Sequence, residues 1–310
     1  MLRSGGPWTA DHLPDQTGRT AVVTGANAGV GYQVALALAR RGAHVVLGCR
    51  DLGRAGEAAE RIAAEVPGAG LDVRRLDLAD LACVASFAEG IAGAYPAVDV
   101  LVNNAGLMAK ERQVTADGFE LMFGVNYLGH YALTARLLPL LLSAPGSRVV
   151  MTSSLTYRFG RVDLDDPMFE RRAFNIWPAY FQSKLATVLF AEELDRRLRA
   201  AGAATVALTA HPGIAATDIG PKAGLGDPNT SPQDAFVGRL IMQPAPAGAW
   251  PTLRAATAPD AVGGELYGPR FRIRGAARRE RLVRRARNAD QARRLWECSA
   301  KLVGVEPVMG

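Results

Sequence analysis

Two rhythms of apolar and polar positions alternate along this chain. Short, nearly continuous apolar runs at residues 20–24 (TAVVT), 43–47 (AHVVL), 72–76, 98–102, 148–152 (RVVMT) and 205–209 read as buried strands. Stretches with helical spacing fall between them, at 30–41, 52–66, 81–95, 117–123 with 126–142, and 179–201. Strands that alternate with helices in this way are parallel, joined by right-handed crossovers, with helices on both faces of the sheet. The expected fold is therefore a single-domain, doubly wound parallel α/β sheet. The rhythm breaks once, at 212–251, a stretch rich in Gly, Pro and Ala before a last strand near 265–267. We read the chain as one domain over 1–310: a lead-in at 1–18, a core at 20–211, a loop region at 212–251 and a basic helical tail at 270–303.

Composition narrows the functional classes. With 310 residues and 49% of them hydrophobic, the chain can bury one large core. The net charge is +6, but much of the excess lies between Arg270 and Arg294 in a helix-like pattern without a base-reading motif, so nucleic acid is not the expected partner. The tail from Arg278 to Arg294 reads either as a solvated helix packed on the body or as a contact for an acidic partner or membrane surface. Cys49, Cys83 and Cys298 lie far apart, which suggests neither a disulfide framework nor a metal site and points to a cytoplasmic setting. No uncharged apolar stretch reaches membrane-spanning length, so no transmembrane anchor is expected; residues 131–142 are short, contain Arg136 and read as a buried helix. Lysine occurs only at positions 110, 184, 222 and 301, which makes Lys184 conspicuous in an arginine-rich chain.

The first strand runs into Gly25-Ala26-Asn27-Ala28-Gly29-Val30-Gly31, a turn whose backbone N–H groups, with the helix start behind them, can cradle a pyrophosphate. At the end of the second strand, where an NAD-binding chain carries a carboxylate, this chain has Arg50. A guanidinium suits a 2′-phosphate, so the expected cofactor is NADP(H), with NAD(H) as the alternative. The competing reading makes Arg50 a surface arginine and Asp51 a helix cap. Tyr180 and Lys184 are four apart on a predicted helix and share a face. An ammonium and a positively charged nicotinamide ring both favour phenolate, so Tyr180 can exchange a proton with a substrate oxygen. Strand five ends in Ser153-Ser154 and strand four in Asn103-Asn104-Ala105-Gly106, at the sheet edge where doubly wound folds bind ligands.

In that order and spacing, TGANAGVG, NNAG, VNYLG, the Ser154 strand end, YFQSK and the HPG at 211–213 resemble the short-chain dehydrogenase/reductase superfamily, over nearly the whole chain. DVLVNNAG and TADGFELMFGVNYLGHYALT are similar to its retinol dehydrogenase and WW-domain oxidoreductase branch. The resemblance implies a Rossmann-type fold and hydride exchange between a nicotinamide cofactor and a carbonyl or alcohol. It further implies that Ser154 orients substrate, Tyr180 is the acid/base, Lys184 holds the ribose and Asn126 supports a proton relay through an ordered water. Ser153 is the competing serine. Asp77 and Leu78 are expected at the adenine, Asn104, Ala105 and Gly106 along the cofactor, and Pro212, Gly213, Ile214 and Thr217 at the nicotinamide end. Asp77 reads equally as a helix cap.

The gap between Ser154 and Tyr180 is longer than in small family members and implies an extra loop holding Arg158, Arg161, Asp163, Asp165 and Asp166. Ile219, Leu225, Phe236, Leu240, Ile241 and Met242 suit an apolar substrate pocket. Partners reduce to a small-molecule carbonyl or alcohol, with a homo-oligomer compatible with the family. The competing functions are a non-catalytic NADP(H)-binding sensor or scaffold and a reductase of conjugated double bonds.

Overall fold

The computed structural model describes residues 7–214 and 243–309. Among them the strands form one eight-stranded sheet: β1 (Thr20–Thr24), β2 (His44–Cys49), β3 (Leu71–Arg75), β4 (Val100–Asn103), β5 (Arg148–Thr152), β6 (Val206–Ala210), β7 (Leu266–Pro269) and β8 (Ala277–Glu280). Their spatial order is β3-β2-β1-β4-β5-β6-β7-β8, parallel throughout except for the β7–β8 pair. Side chains alternate across each strand, so one strand feeds two cores. Val22 and Val46 face one core, while Ala21, Val23, Val45 and Leu47 face the other. That two-sided burial is why the strands read as unbroken apolar runs.

The second core is covered by α1 (Gly29–Ala39), α2 (Leu52–Glu65) and α6 (Ala245–Thr257). The first lies under α3 (Leu81–Ala94), α4 (regular over Gly129–Leu142), α5 (Ile176–Ala200) and α7 (Ala289–Val303). Among the described residues no helix is long and apolar enough to cross a membrane.

Three expectations need correction. The stretch 117–123 is not one helix: α4 is led in by one helical turn, Leu121–Phe123, and a π-helical segment, Gly124–Leu128. Buried Glu120 stops the helix from starting earlier by accepting the N–H groups of Met122 and Phe123. The α5 helix begins at Ile176 rather than 179, capped by Asn175 through the Trp177 N–H. Pro178 is tolerated because first-turn N–H groups have no partner inside the helix.

The third correction concerns the tail. Residues 278–294 are not one basic helix but β8, a 3-10 turn at Arg284–Arg287 and the start of α7. Ala277 and Glu280 at the two ends of β8 are buried, on opposite faces of the strand, while Arg278 and Arg279 between them are exposed. Trp296 of α7 is buried against Tyr131 and Phe190, and Tyr127 hydrogen-bonds Ser299 at 2.6 Å, so this end of the chain is part of the core.

Candidate active site

The sheet reverses its strand order between β1 and β4, and the residues singled out from the sequence gather at the carboxyl ends of these strands and of β5 and β6. Thr24, the last residue of β1, organises the crevice. Its hydroxyl oxygen accepts the N–H groups of Asn104 and Ala105, each at 2.9 Å, and the Asn104 amide donates to the Thr24 carbonyl at 3.0 Å. Gly31 closes the turn: a Cβ there would collide with the Gly25 carbonyl and the Asn104 amide. The turn is therefore packed down on NNAG, with the N-terminus of the eleven-residue α1 opening outward, and this cradle fits a dinucleotide pyrophosphate.

Beside the turn is a cleft of ≈ 380 Å³ lined by Asn27, Ala28, Gly29, Tyr32, Arg54, Glu57 and Arg61. The Arg61 guanidinium lies 5.0 Å from the Tyr32 ring centroid and donates to the Asn27 carbonyl at 3.4 Å. Arg50 is exposed at the end of β2, while Asp51 caps α2 by accepting the Arg54 N–H at 3.1 Å. Asp77 does not cap α3. It accepts the Ala79 N–H, and Asp80 caps the helix. Leu78 is buried in the core beside Gly129.

Tyr180, Ser154, Lys184 and Asn126 come together. Burial pushes the Tyr180 phenol up to about 12, opposed by its hydrogen bond with Ser154. The rise comes from burial, since the ring is 6% exposed and sits in an apolar cluster with Met108, Met122, Phe169 and Ala179, and the lowering expected from the sequence belongs to the state with oxidised cofactor bound. Burial also pulls the Lys184 ammonium down to about 8. Its Nζ donates to the Thr152 carbonyl at 3.2 Å and lies 5.8 Å from the Tyr180 ring centroid. The two serines divide: the Ser153 hydroxyl is tied to the Lys184 carbonyl at 2.7 Å, whereas Ser154 remains beside Tyr180. Asn126 sits in the π-helical segment, and its side chain accepts the Leu107 N–H and donates to the Leu107 carbonyl and Ser183 hydroxyl. It thereby anchors the backbone just beyond Gly106.

At the other end, Pro212, Gly213 and Ile214 leave β6 and rest on the β7–β8 turn, where the Ile214 N–H meets the Ile273 carbonyl at 2.9 Å. Gln243 accepts the Gly275 N–H at 3.1 Å through its side chain and donates its backbone N–H to the Ile214 carbonyl at 2.8 Å. Thr217, Ile219, Leu225, Phe236, Leu240, Ile241 and Met242 lie outside the described residues. The extra loop forms near the site. Asp166 accepts the N–H groups of Glu170, Arg171 and Arg172, and the loop lays Phe169 and Phe174 beside Tyr180.

Sequence reasoning missed His130. Its Nδ1 lies 3.2 Å from the Asn126 carbonyl and its Nε2 lies 2.9 Å from the Thr24 hydroxyl. Burial pulls its pKa down to about 3, so the ring is neutral. A carbonyl can only accept, so the proton is on Nδ1, and Thr24 donates to Nε2 while accepting from Asn104 and Ala105. His130 thus joins the π-helical segment to the first strand, and its place in a run read as a buried helix gave no sign of this.

A doubly wound sheet with a glycine-rich cradle at β1 and a Ser-Tyr-Lys grouping at β5 and α5 defines a nicotinamide-dependent dehydrogenase or reductase. Residues 19–226 match the family model for short chain dehydrogenase, and the chain belongs to that family. It is an NAD(P)-dependent oxidoreductase acting on CH–OH or C=O groups, of the retinol dehydrogenase-like branch. It is 40% identical to Retinol dehydrogenase 13 of Homo sapiens over 290 residues, covering 93% of this chain and 86% of that protein. Identity to Polyprenol dehydrogenase of Mus musculus is 40% over 308 residues, covering 98% and 89%. Among solved structures, an uncharacterized protein from Mycobacterium Paratuberculosis superposes with a TM-score of 0.81 at 40% identity, covering 98% of this chain and all of that one. An NAD(P) dependent gluconate 5-dehydrogenase from Beutenbergia cavernae with bound NADP gives 0.63 at 27% identity, covering 81% and 95%.

Proposed function

We propose that this chain exchanges a hydride between NADP(H) and a lipophilic carbonyl or alcohol, with Tyr180 as the proton donor and acceptor. The observation that carries the reading is the grouping of half-buried Ser154 with buried Tyr180 and Lys184 at the carboxyl edge of the sheet. The bound nicotinamide supplies or takes the hydride. Ser154 orients the substrate oxygen by hydrogen bonding, and Tyr180 gives that oxygen a proton in reduction or removes one in oxidation. Burial keeps the phenol protonated before cofactor binds, and the positive charge of Lys184 and of an oxidised ring favours its release of that proton to form phenolate, the base for oxidation. Asn126 keeps the backbone beyond Gly106 in place, and Lys184 faces the cofactor's ribose.

Gly25, Asn27, Ala28, Gly29, Val30 and Gly31 hold the pyrophosphate in this reading, Asp77 and Leu78 border the adenine, Asn104 to Gly106 follow the cofactor, and residues 212–214 meet its nicotinamide end. Arg50 is the partner for a 2′-phosphate, and the neighbouring Arg54 and Arg61 add positive charge on that side. A lipophilic substrate is supported by the apolar cluster around Tyr180 and by relatives named for retinol and polyprenol. Three free cysteines agree with a cytoplasmic setting.

Fluorescence titration of the full chain with NADPH and NADH tests the cofactor, followed by turnover of lipophilic aldehydes. NADPH should bind more tightly than NADH, and Arg50→Asp should weaken NADPH selectively. Equal losses for both cofactors would remove Arg50 from the 2′-phosphate. Tyr180→Phe should bind cofactor and not turn over; full activity in that variant would end the acid/base assignment.

A further inference from the structure

A buried trio with no part in the proposed chemistry joins segments that border the site. Glu280, on the antiparallel strand β8, lies between Arg158 and His211. Arg158 Nη2 is 3.1 Å from one carboxylate oxygen, and His211 Nε2 is 3.4 Å from the other. The Glu280 and His211 side chains are 2% and 0% exposed. The other nitrogen of His211, Nδ1, accepts the Gly213 N–H at 3.2 Å, so in the neutral ring the proton is on Nε2 and faces the carboxylate. Neither Nε2 nor the oxygen it faces has a hydrogen-bond partner, so the 3.4 Å approach is an electrostatic contact between two otherwise unpartnered buried atoms. Gly268 on β7 makes room for their approach, since a Cβ there would collide with both atoms. Burial pushes the Glu280 carboxyl up, but His211 and Arg158 outweigh it and hold it below the usual range.

Buried ion pairs add little net stability, because lost hydration offsets the attraction, and fixing one arrangement of neighbouring elements is their best-attested use. Here the elements fixed are informative. His211 starts the turn through 212–214, and Arg158 belongs to the 3-10 turn Leu155–Phe159, which begins at Ser154 and is held to it by the Thr156 N–H and hydroxyl. The last strand of the sheet therefore reaches two separate borders of the crevice through one carboxylate.

We propose that Glu280 is a positioning residue that sets these two borders independently, the cofactor side through His211 and the substrate side through Arg158. The assignment rests on the function proposed above, so wild-type cofactor binding and turnover are measured first, which separates a failure of that function from a failure of this one. Steady-state kinetics of the full chain then compare three variants. Glu280→Gln, which keeps the shape and removes the charge, should raise KM for both cofactor and carbonyl about tenfold, with kcat changing less. His211→Asn should raise the cofactor KM alone, and Arg158→Met the carbonyl KM alone. Gly268→Ala, a wedge between His211 and Glu280, should reproduce His211→Asn. Wild-type constants in Glu280→Gln would overturn the assignment. So would His211→Asn and Arg158→Met raising both constants in one ratio, as general loosening of the fold would do. If Glu280→Gln does not fold, the split between the two single-arm variants decides.

Discussion

The Ser153 hydroxyl donates to the Lys184 carbonyl at 2.7 Å, and the adjacent Ser154 hydroxyl instead accepts the Thr156 N–H and hydroxyl on the Tyr180 side. Neighbouring residues on an extended strand end point opposite ways, so one serine anchors α5 and the other faces the crevice. Ser154→Ala should lower kcat by about a hundredfold or more, and because it also removes the acceptor of the Thr156 N–H and hydroxyl it should cost about 1 kcal/mol of stability. Ser153→Ala should show a similar stability loss of about 1 kcal/mol with most activity kept. Kinetics separate the two where thermal melts do not.

Tyr180 should remain protonated in the cofactor-free protein until the pH approaches its value of about 12. Ultraviolet difference titration of wild type against Tyr180→Phe reads this directly. Adding oxidised cofactor should bring phenolate formation to lower pH, and alcohol oxidation should speed up as pH rises while carbonyl reduction does not. An unchanged titration on binding the cofactor would leave Tyr180 without the electrostatic help the mechanism needs.

Lys184 is a charge held in a crevice that disfavours it. Its pKa falls from 10.5 to about 8 on folding, so the folded state binds fewer protons than the unfolded state between those values, and stability rises with pH through that window. Lys184→Met should abolish turnover yet raise the melting point of the cofactor-free protein at neutral pH. The gain should shrink as pH climbs from about 8 to 10.5. A variant less stable than wild type at pH 7 would contradict this account.

His130 gives the opposite end of the pH scale. Its pKa drops from 6.5 to about 3 on folding, so its contribution is complete above 6.5 and is lost as pH falls from there toward 3. His130→Phe removes the acceptor of the Thr24 hydroxyl and one donor to the Asn126 carbonyl, which should cost about 1–3 kcal/mol and weaken cofactor binding. His130→Gln, able to donate and accept, should recover part of both and flatten the acid limb of a stability profile.

Gly31→Ala tests the cradle apart from cofactor choice. The added methyl group meets the Gly25 carbonyl and the Asn104 amide, so the turn must move away from NNAG. NADPH and NADH binding should fall together, by about a hundredfold. A selective loss would place the 2′-phosphate contact on the turn itself.

Strand and helix order, the glycine-rich turn and the Tyr180–Lys184 spacing were determined by sequence alone, because backbone periodicity and one helical turn are local matters. The position of α5 was legible to within a few residues, its first turn being hidden only by Pro178. Tertiary structure decided the rest. It alone showed that Ser153 is tied to the Lys184 carbonyl, that Asp80 rather than Asp77 caps α3, and that His130 bridges Asn126 and Thr24. It also turned part of an apparently basic helix into an antiparallel strand, because Glu280 finds His211 and Arg158, residues distant in the chain, only when β8 pairs with β7. Burial raised the Tyr180 phenol where charge alone argued for lowering it. Desolvation and long-range hydrogen bonds depend on what the fold packs around a residue, and no spacing along the chain carries that information.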